Sequence, residues 1–493
     1  MTWQRALLIY PYGPDKKSEQ LYGGLAIINP IGLEVIATAL KLVVRDLMLL
    51  DMRRERRALA DLVREFRPDL IGVSLNWGRD EYTDALLRSL PPDCTLVVGG
   101  LYPTRESDDV LAAFPQIDIL SVGYGEDSLR ELVERGSPEG VAGLWFRRRA
   151  GAFPPEARGG LPAAGGELVK NARRMTVDVK HFHLDRSVRR YDYPWLTLKG
   201  DNIITSVGCP MVCAFCKWRE NIFGEVQPWV AREPEDVVAE LQETKADIVH
   251  IVDANFAHDT RRVERICDLI LERDIRHLYA CEIRVNPLSH SPELVKKMEA
   301  AGFFMFMIGM ETYQPHLLKA MRKGYTVEMA RRAFANLRGT HILTLGNFLI
   351  GNPGETESQM LGIADYAAGL GMDFISPNKI YAYANTDFEQ WVLQQPGMRL
   401  EGRRRYVVSD DYGVEDLRRI QARIMLRFFR KHPPWTTYAK ALAHPMVQKL
   451  GRERIRRAML RSLWNHVADA NFRRRALKKL AKRFHRKADA AAV

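Results

Sequence analysis

Cysteine is scarce in this chain, six in 493 residues. That excludes the disulfide framework on which small secreted domains rely and favours a reducing, cytoplasmic setting. Long apolar runs are missing too. No stretch approaches the roughly 18 uninterrupted apolar residues of a membrane-spanning helix. The opening MTWQRALLIYPYGP lacks the charged region, apolar core and cleavage site of a signal peptide. Acidic residues thin out in one place: residues 401–493 hold 8 Asp+Glu against 25 Lys+Arg, so the chain's net charge of +12 resides there. The basic character therefore speaks about partners of the C-terminal part and not about the rest. Hydrophobic and charged contents of 46% and 27% are those of a soluble globular protein long enough for two or three domains.

Three of the six cysteines stand together. Cys209, Cys213 and Cys216 form a Cys-x3-Cys-x2-Cys run in SVGCPMVCAFCKW. Three thiolates at this spacing can hold three irons of a cuboidal 4Fe–4S cluster, and the fourth iron is left open to an outside ligand. Ferredoxin spacings supply four cysteines, and zinc sites favour paired cysteines or added histidines. Here His181 and His183 lie far upstream and His250 well downstream. The bland alternative is three buried thiols acting as small hydrophobes. Cys94, Cys267 and Cys281 are scattered and read as core thiols.

Residues 1–135 alternate short apolar runs with helical patterns. Strands are predicted at Ala6–Tyr10, Asp46–Leu50, Leu70–Leu75, Leu96–Val98 and Ile117–Val122, which implies a parallel, doubly wound, Rossmann-like α/β sheet. Its ligand belongs at the carboxyl ends of the strands, where the turns carry Asn76, Gly99, Gly100, Gly123, Gly125 and Glu126. Glycines there let a large flat ligand approach the backbone. Residues 136–197 read as a connector with a hairpin in GLWFRRRAGAF. A second βα alternation fills 198–390, with strands predicted at Ile203–Ser206, Ile248–Val252, Tyr279–Arg284, Phe304–Gly309, Thr344–Ile350 and Phe374–Ile380. Six such units suit a partial (β/α)6 barrel, whose active residues follow the strands. Residues 391–493 read as a helical basic segment.

The cysteine run resembles the cluster loop of the radical S-adenosylmethionine (SAM) enzymes. The resemblance implies that SAM chelates the open iron through its amino and carboxylate groups. It places Phe215 beside the adenine, Asp253 of the Asp-Ala-Asn-Phe turn near the SAM amino group, and Arg284 of CEIRVNP on the carboxylate. Glu311 of GMETYQPHLLKAMRKGYT is expected at the ribose or amino group, or paired with Lys323. Asn347 of GNFLIGNPGET is expected on SAM, and Glu355 at a helix N-terminus. Residues 1–135 look like the cobalamin-binding domain that precedes many such barrels, through PIGLEVIATAL, VVGGLYPT and VGYGED. One departure stands out: Asp51-Met52-Arg53 carries arginine where Asp-x-His-x-x-Gly domains carry the lower-axial histidine. Arginine stays protonated and cannot ligate cobalt.

The combination implies a 4Fe–4S cluster, SAM and cobalamin as cofactors, with the electron supplied by a flavodoxin- or ferredoxin-type donor. The expected activity is a cobalamin-dependent radical SAM C-methyltransferase, acting on a small-molecule substrate that is lipophilic, such as a hopanoid. The alternative is an oxidative cyclase of the same architecture acting on a tetrapyrrole without methyl transfer. The tail ANFRRRALKKLAKRFHRKADAAAV sets Phe472, Leu477, Leu480 and Phe484 on one face among nine Lys/Arg, the pattern of a helix that lies on an anionic membrane surface. No nucleic-acid fold signature accompanies the charge, so no nucleic-acid partner is expected.

Overall fold

A computed structural model describes residues 3–13, 20–21, 26–148, 167–175, 178–195, 197–384, 386–402 and 404–461. Five parallel strands build the first sheet: β1 Arg5–Tyr10, β2 Asp46–Asp51, β3 Leu70–Ser74, β4 Thr95–Gly99 and β5 Ile119–Ser121. Their spatial order is β2-β1-β3-β4-β5. The order reverses between β1 and β3, where doubly wound sheets leave a crevice beyond the strand ends. The strands are apolar almost throughout because helices cover both faces. Leu8 and Val97 pack with Leu33 and Leu129 on one side, while Leu7, Ile71 and Val98 pack with Leu62 and Val110 on the other.

Residues 136–197 extend both sheets. Leu144–Arg147 pairs antiparallel with β5 and with Leu168–Lys170, which is where the hairpin expected in GLWFRRRAGAF finds its second strand. Tyr193–Trp195 joins the edge of the second sheet, and so does Ala26–Ile27 from the N-terminal part.

The second sheet is a run of six parallel strands: β6 Leu198–Ile203, β7 Ile248–Ile251, β8 Leu278–Ile283, β9 Phe303–Glu311, β10 Leu343–Ile350 and β11 Phe374–Lys379. Helices Pro234–Glu243, Thr260–Glu272, Pro292–Ala301, Val327–Leu337 and Glu357–Leu370 connect them, giving a half-open (β/α)6 barrel. Strand alternation sorts the side chains by face. Val249, Tyr279, Cys281 and Phe306 meet the helices. Ile248, Leu278, Ala280, Met307 and Leu345 point inward, and Ala441, Met446, Val447 and Ile455 of the C-terminal helices plug that end of the barrel.

One strand differs from expectation. The first barrel strand ends at Ile203, and Ser206–Val207 instead forms a two-residue ladder with Val230–Ala231. The true strand, LKGDNI, hides its alternation behind polar residues with buried partners. Asp201 takes Arg186 and Arg189, and Asn202 takes Asn29 and His250.

The C-terminal helix Val414–Lys431 buries Leu417, Ile420, Ile424 and Phe428 in the barrel's own core. Its outer cations are engaged as well. Arg427 and Lys431 both meet Asp365, holding that carboxyl down to about 2, and Arg423 meets Glu357. The basic amphipathic stretch 472–487 lies outside the described residues. Among the described residues no helix is long and apolar enough to cross a membrane.

Phe428 is fully buried and Leu426 is 61% exposed on the same helix. Phe428→Ala is expected to cost about 3–5 kcal/mol in urea unfolding, as large-to-small core changes do, while Leu426→Ala stays within about 0.5 kcal/mol. Equal effects of the two would mean that the helix docks by another face.

Candidate functional site

The cysteine loop springs from the end of β6, and its base is closed by the Ser206–Val207 ladder. Gly208 begins it at φ +81°, where a Cβ would lie 2.7 Å from the Pro228 carbonyl oxygen. Cys209 is buried, Cys213 and Cys216 are half-buried, and all three are free thiols. Burial pushes the Cys216 thiol up to about 11, so iron binding there would displace its proton. Among the described residues no three His, Cys, Asp or Glu side chains converge on one metal ion. A cuboidal cluster does not need that convergence, because each thiolate takes its own iron. The other cysteines are remote: Cys267 and Cys281 sit in the barrel core and Cys94 in the first domain's core.

Arg284 follows β8 directly. Its Nη1 donates to Cys213 Sγ at 3.3 Å, its Nη2 donates to the Lys323 carbonyl, and its buried Nε has no partner. A buried guanidinium with a donor to spare beside the thiols suits a carboxylate ligand. Lys323 Nζ pairs with Glu311 Oε1 at 2.9 Å, the internal pairing anticipated as one option for Glu311. Glu311 stands at φ +57° beside a bulge that ends β9, a strained backbone setting that the ion pair helps to hold. Phe215 packs edge-on to Phe388, with Lys323 Nζ 5.9 Å from its ring centroid. Asn347 lies on the inner face of β10 in register with Gly309, half-buried. Phe215, Arg284, Glu311 and Asn347 thus share the open end of the barrel with the cysteines.

Asp253 is engaged within the chain. It is 1% exposed, and both its oxygens are taken. Oδ1 accepts from Thr205 N at 2.7 Å, and Oδ2 accepts from the hydroxyls of Thr205 at 2.5 Å and Ser206 at 2.6 Å. Nor does it cap the following helix, a task that falls to Asp259. Its carboxylate holds the start of the cysteine loop, with three of its acceptor positions turned inward to Thr205 and Ser206. Glu355 is similarly internal. It receives the Gly351 and Asn352 amides, burial lifts it to about 7, and Thr356 is the helix cap.

A polar layer lies one step deeper on the barrel's inner face, above the plugged apolar end. His250 Nε2 stands 3.1 Å from Glu282 Oε2, and its Nδ1 stands 3.2 Å from Asn202 Oδ1. Glu282 has a side chain 37% exposed. Ser376 lies in register beside Asn347. Sequence reasoning set His250 aside as too distant for the cluster. The period of two in IVHIVD, which puts His250 on the same face as Ile248, is the signal that could have placed it.

At the end of the first sheet, Asn76, Gly99, Gly100, Gly123, Gly125 and Glu126 all line one narrow cavity of ≈ 180 Å³, at the reversal of strand order. The reason for two of the glycines differs from expectation. Gly100 sits at φ +110°, where a Cβ would lie 2.7 Å from both the Leu75 carbonyl and Asn76 Oδ1. At Gly123, φ +100°, a Cβ would lie 2.7 Å from the Phe223 ring. Both are demanded by the chain's own packing before any ligand is considered. Arg53 behaves as its chemistry requires. It grips Asp51 through Nε at 2.9 Å and Nη2 at 2.6 Å and stacks on Tyr10, away from any metal-ligand role.

The fold and site therefore define a two-domain protein with a three-thiolate loop at one mouth and a glycine-lined cleft at the other. Comparison with known proteins agrees. Residues 203–367 match the radical SAM superfamily and residues 25–133 match the B12 binding domain. The chain carries these two domains and is an enzyme of the radical SAM type. It is 23% identical to an uncharacterized methyltransferase of Pyrococcus horikoshii, covering 77% of this chain and 82% of that one. It is 24% identical to the anaerobic magnesium-protoporphyrin IX monomethyl ester cyclase of Cereibacter sphaeroides (61% and 49% covered) and 26% identical to the hopanoid C-3 methylase of Methylococcus capsulatus (60% and 56% covered). The chain thus spans about half the length of the latter two. The fold is that of the radical SAM methyltransferase TsrM from Kitasatospora setae, solved with cobalamin and a 4Fe–4S cluster, at TM-score 0.62 and 18% identity over 88% of this chain and 90% of that one.

Two substitutions separate the roles assigned above. Asp253→Asn should lower the iron retained per chain, because the loop's anchor loses an acceptor worth about 1–3 kcal/mol. Arg284→Ala should keep its iron yet bind SAM about tenfold or more weakly, the worth of a charged hydrogen bond. Full iron with weakened SAM binding in Asp253→Asn would return that residue to the SAM site.

Proposed function

We propose that this enzyme is a cobalamin-dependent radical SAM C-methyltransferase. The observation that supports it best is the pairing of two sites in one chain: three thiols without a fourth ligand beside Arg284, and a glycine-lined cleft at the strand-order reversal of the first sheet. When bound, the cluster, SAM and methylcobalamin would supply radical generation and the methyl group, chemistry that belongs to the cofactors. The chain's own residues hold and orient. Cys209, Cys213 and Cys216 would carry the cluster, Arg284 would take the SAM carboxylate, and Phe215 and Asn347 would border the adenosine. Lys323 keeps Glu311 in place at the rim. Asn76, Gly99, Gly100, Gly123, Gly125 and Glu126 would line the corrin site, and Arg53, committed to Asp51, would offer the cobalt no ligand.

The substrate would lie in the barrel mouth above Asn202, His250, Glu282, Asn347 and Ser376. That layer suits a small molecule carrying hydrogen-bonding groups better than the bare hydrocarbon face of a hopanoid. The electron would come from an external flavodoxin- or ferredoxin-type protein in the cytoplasm. Membrane contact through the basic stretch 472–487 belongs to the same reading. Oxidative cyclisation of a tetrapyrrole is the second reading, favoured by the similarity to the magnesium-protoporphyrin cyclase.

Anaerobic reconstitution with iron, sulfide and cobalamin, followed by turnover with SAM, separates the two. The methyltransferase reading expects bound corrin and formation of both S-adenosylhomocysteine and 5′-deoxyadenosine. Iron without corrin, yielding deoxyadenosine alone, would favour the cyclase.

A further inference from the structure

The two cofactor sites are joined by a short hairpin, residues 219–227, that belongs to the cysteine loop but ends inside the other domain. Only Lys217 and Trp218 separate it from Cys216, and Pro228 and Trp229 lead from it to the Val230–Ala231 strand that closes the loop's base. The hairpin is rigid by its own bonds. Asn221 N donates to the Glu225 carbonyl at 2.6 Å, and Asn221 Oδ1 accepts from the amides of Phe223 at 2.9 Å and Glu225 at 3.0 Å. Gln227 N closes it on the Arg219 carbonyl at 2.8 Å.

The hairpin reaches the first domain at three points. Ile222 is part of the wall of the ≈ 180 Å³ cavity, facing the same space as Gly99, Gly100 and Gly125. Phe223 packs into the first domain's core against Gly123, with the Arg173 guanidinium 5.1 Å from its ring centroid. Gln227 Oε1 accepts from the Tyr124 hydroxyl at 2.7 Å. The cavity is therefore incomplete without a residue of the cluster loop, and Gly123 and Tyr124 are placed by that loop.

We propose that this hairpin couples the two sites, so that an ordered cluster at its base completes the corrin cavity at its tip through Ile222 and Phe223. The inference rests on the corrin reading of the cleft. A bound corrin would press on Ile222, and Cys216 on iron would add to the bonds that already hold the hairpin's base against that press. Linkage makes the effect reciprocal: whatever the cluster adds to corrin affinity, corrin adds to cluster retention. Ile222 and Phe223 are on this account positioning residues.

The test is a thermodynamic cycle with hydroxocobalamin as the probe. It is titrated into the reconstituted protein and into protein stripped of iron by a chelator, both checked for equal helix content by circular dichroism. The expected result is a Kd about tenfold tighter with the cluster present, in the range usual for coupled sites. Ile222→Ala, which spares the first domain's core, and Phe223→Ala should each bring the ratio of the two affinities towards one. In the second arm hydroxocobalamin should slow iron loss to the chelator in the unsubstituted protein and not in Phe223→Ala. Equal affinity with and without the cluster would overturn the coupling, as would a ratio unchanged in both variants. Failure of hydroxocobalamin to bind either form would instead overturn the corrin reading on which the coupling rests.

Discussion

A carboxylate shut away from water sets the geometry on which the site depends. Asp253 follows β7, yet its hydrogen bonds go to Thr205 and Ser206 after β6. Arg262 holds the same spot from the helix side, donating to the Thr205 carbonyl at 2.9 Å. Desolvation raises the Asp253 carboxyl above its ordinary value, and these bonds only partly oppose that rise. A buried acceptor that loses its donors is costly, so the arrangement is nearly all-or-none. Its consequence is that the cysteine loop leaves the sheet in one direction, towards Arg284 and Lys323.

The two domains are welded and not merely linked. Glu34, on the first helix of the N-terminal domain, receives Arg189 at 2.9 and 2.7 Å, and the same guanidinium reaches Asp201 of β6 at 2.6 Å. Tyr193 donates to Asp51 Oδ2 at 3.1 Å, the oxygen that also receives Arg53 Nη2. Buried ion pairs of this kind add little net stability relative to apolar packing, but removing one partner leaves an uncompensated charge. Their role here is registration. They fix the end of one sheet relative to the mouth of the other, and the hairpin at 219–227 spans the distance that remains.

Much of this was legible in the sequence, for physical reasons that can be named. Fully covered parallel strands read as apolar runs, so β1 to β5 and β7 to β11 were found within a residue or two of their ends. The cysteine spacing announced the loop, and the turn residues Asn76, Gly99, Gly100, Gly123, Gly125 and Glu126 proved to share a single cavity. Arg53 was excluded as a metal ligand from its protonation alone, and its guanidinium is engaged with Asp51. What failed did so where a residue's partner is distant in sequence. β6 was misplaced because Asp201 and Asn202 are satisfied by Arg189 and His250, not by solvent. The inward bonds of Asp253 were hidden as well, because its partners lie 47 and 48 residues upstream. The helix at 414–431 fell within the segment read as helical and basic, but composition cannot say what its apolar face meets, and it meets the barrel.

The central claim is an iron left open by three cysteines within reach of a SAM-binding rim. Electron paramagnetic resonance of the dithionite-reduced, reconstituted protein, with and without SAM, tests it most directly. A 4Fe–4S signal whose g values shift when SAM is added is the predicted result, because the amino and carboxylate groups would take the open site. Identical spectra with and without SAM, or a metal content dominated by zinc, would contradict the account.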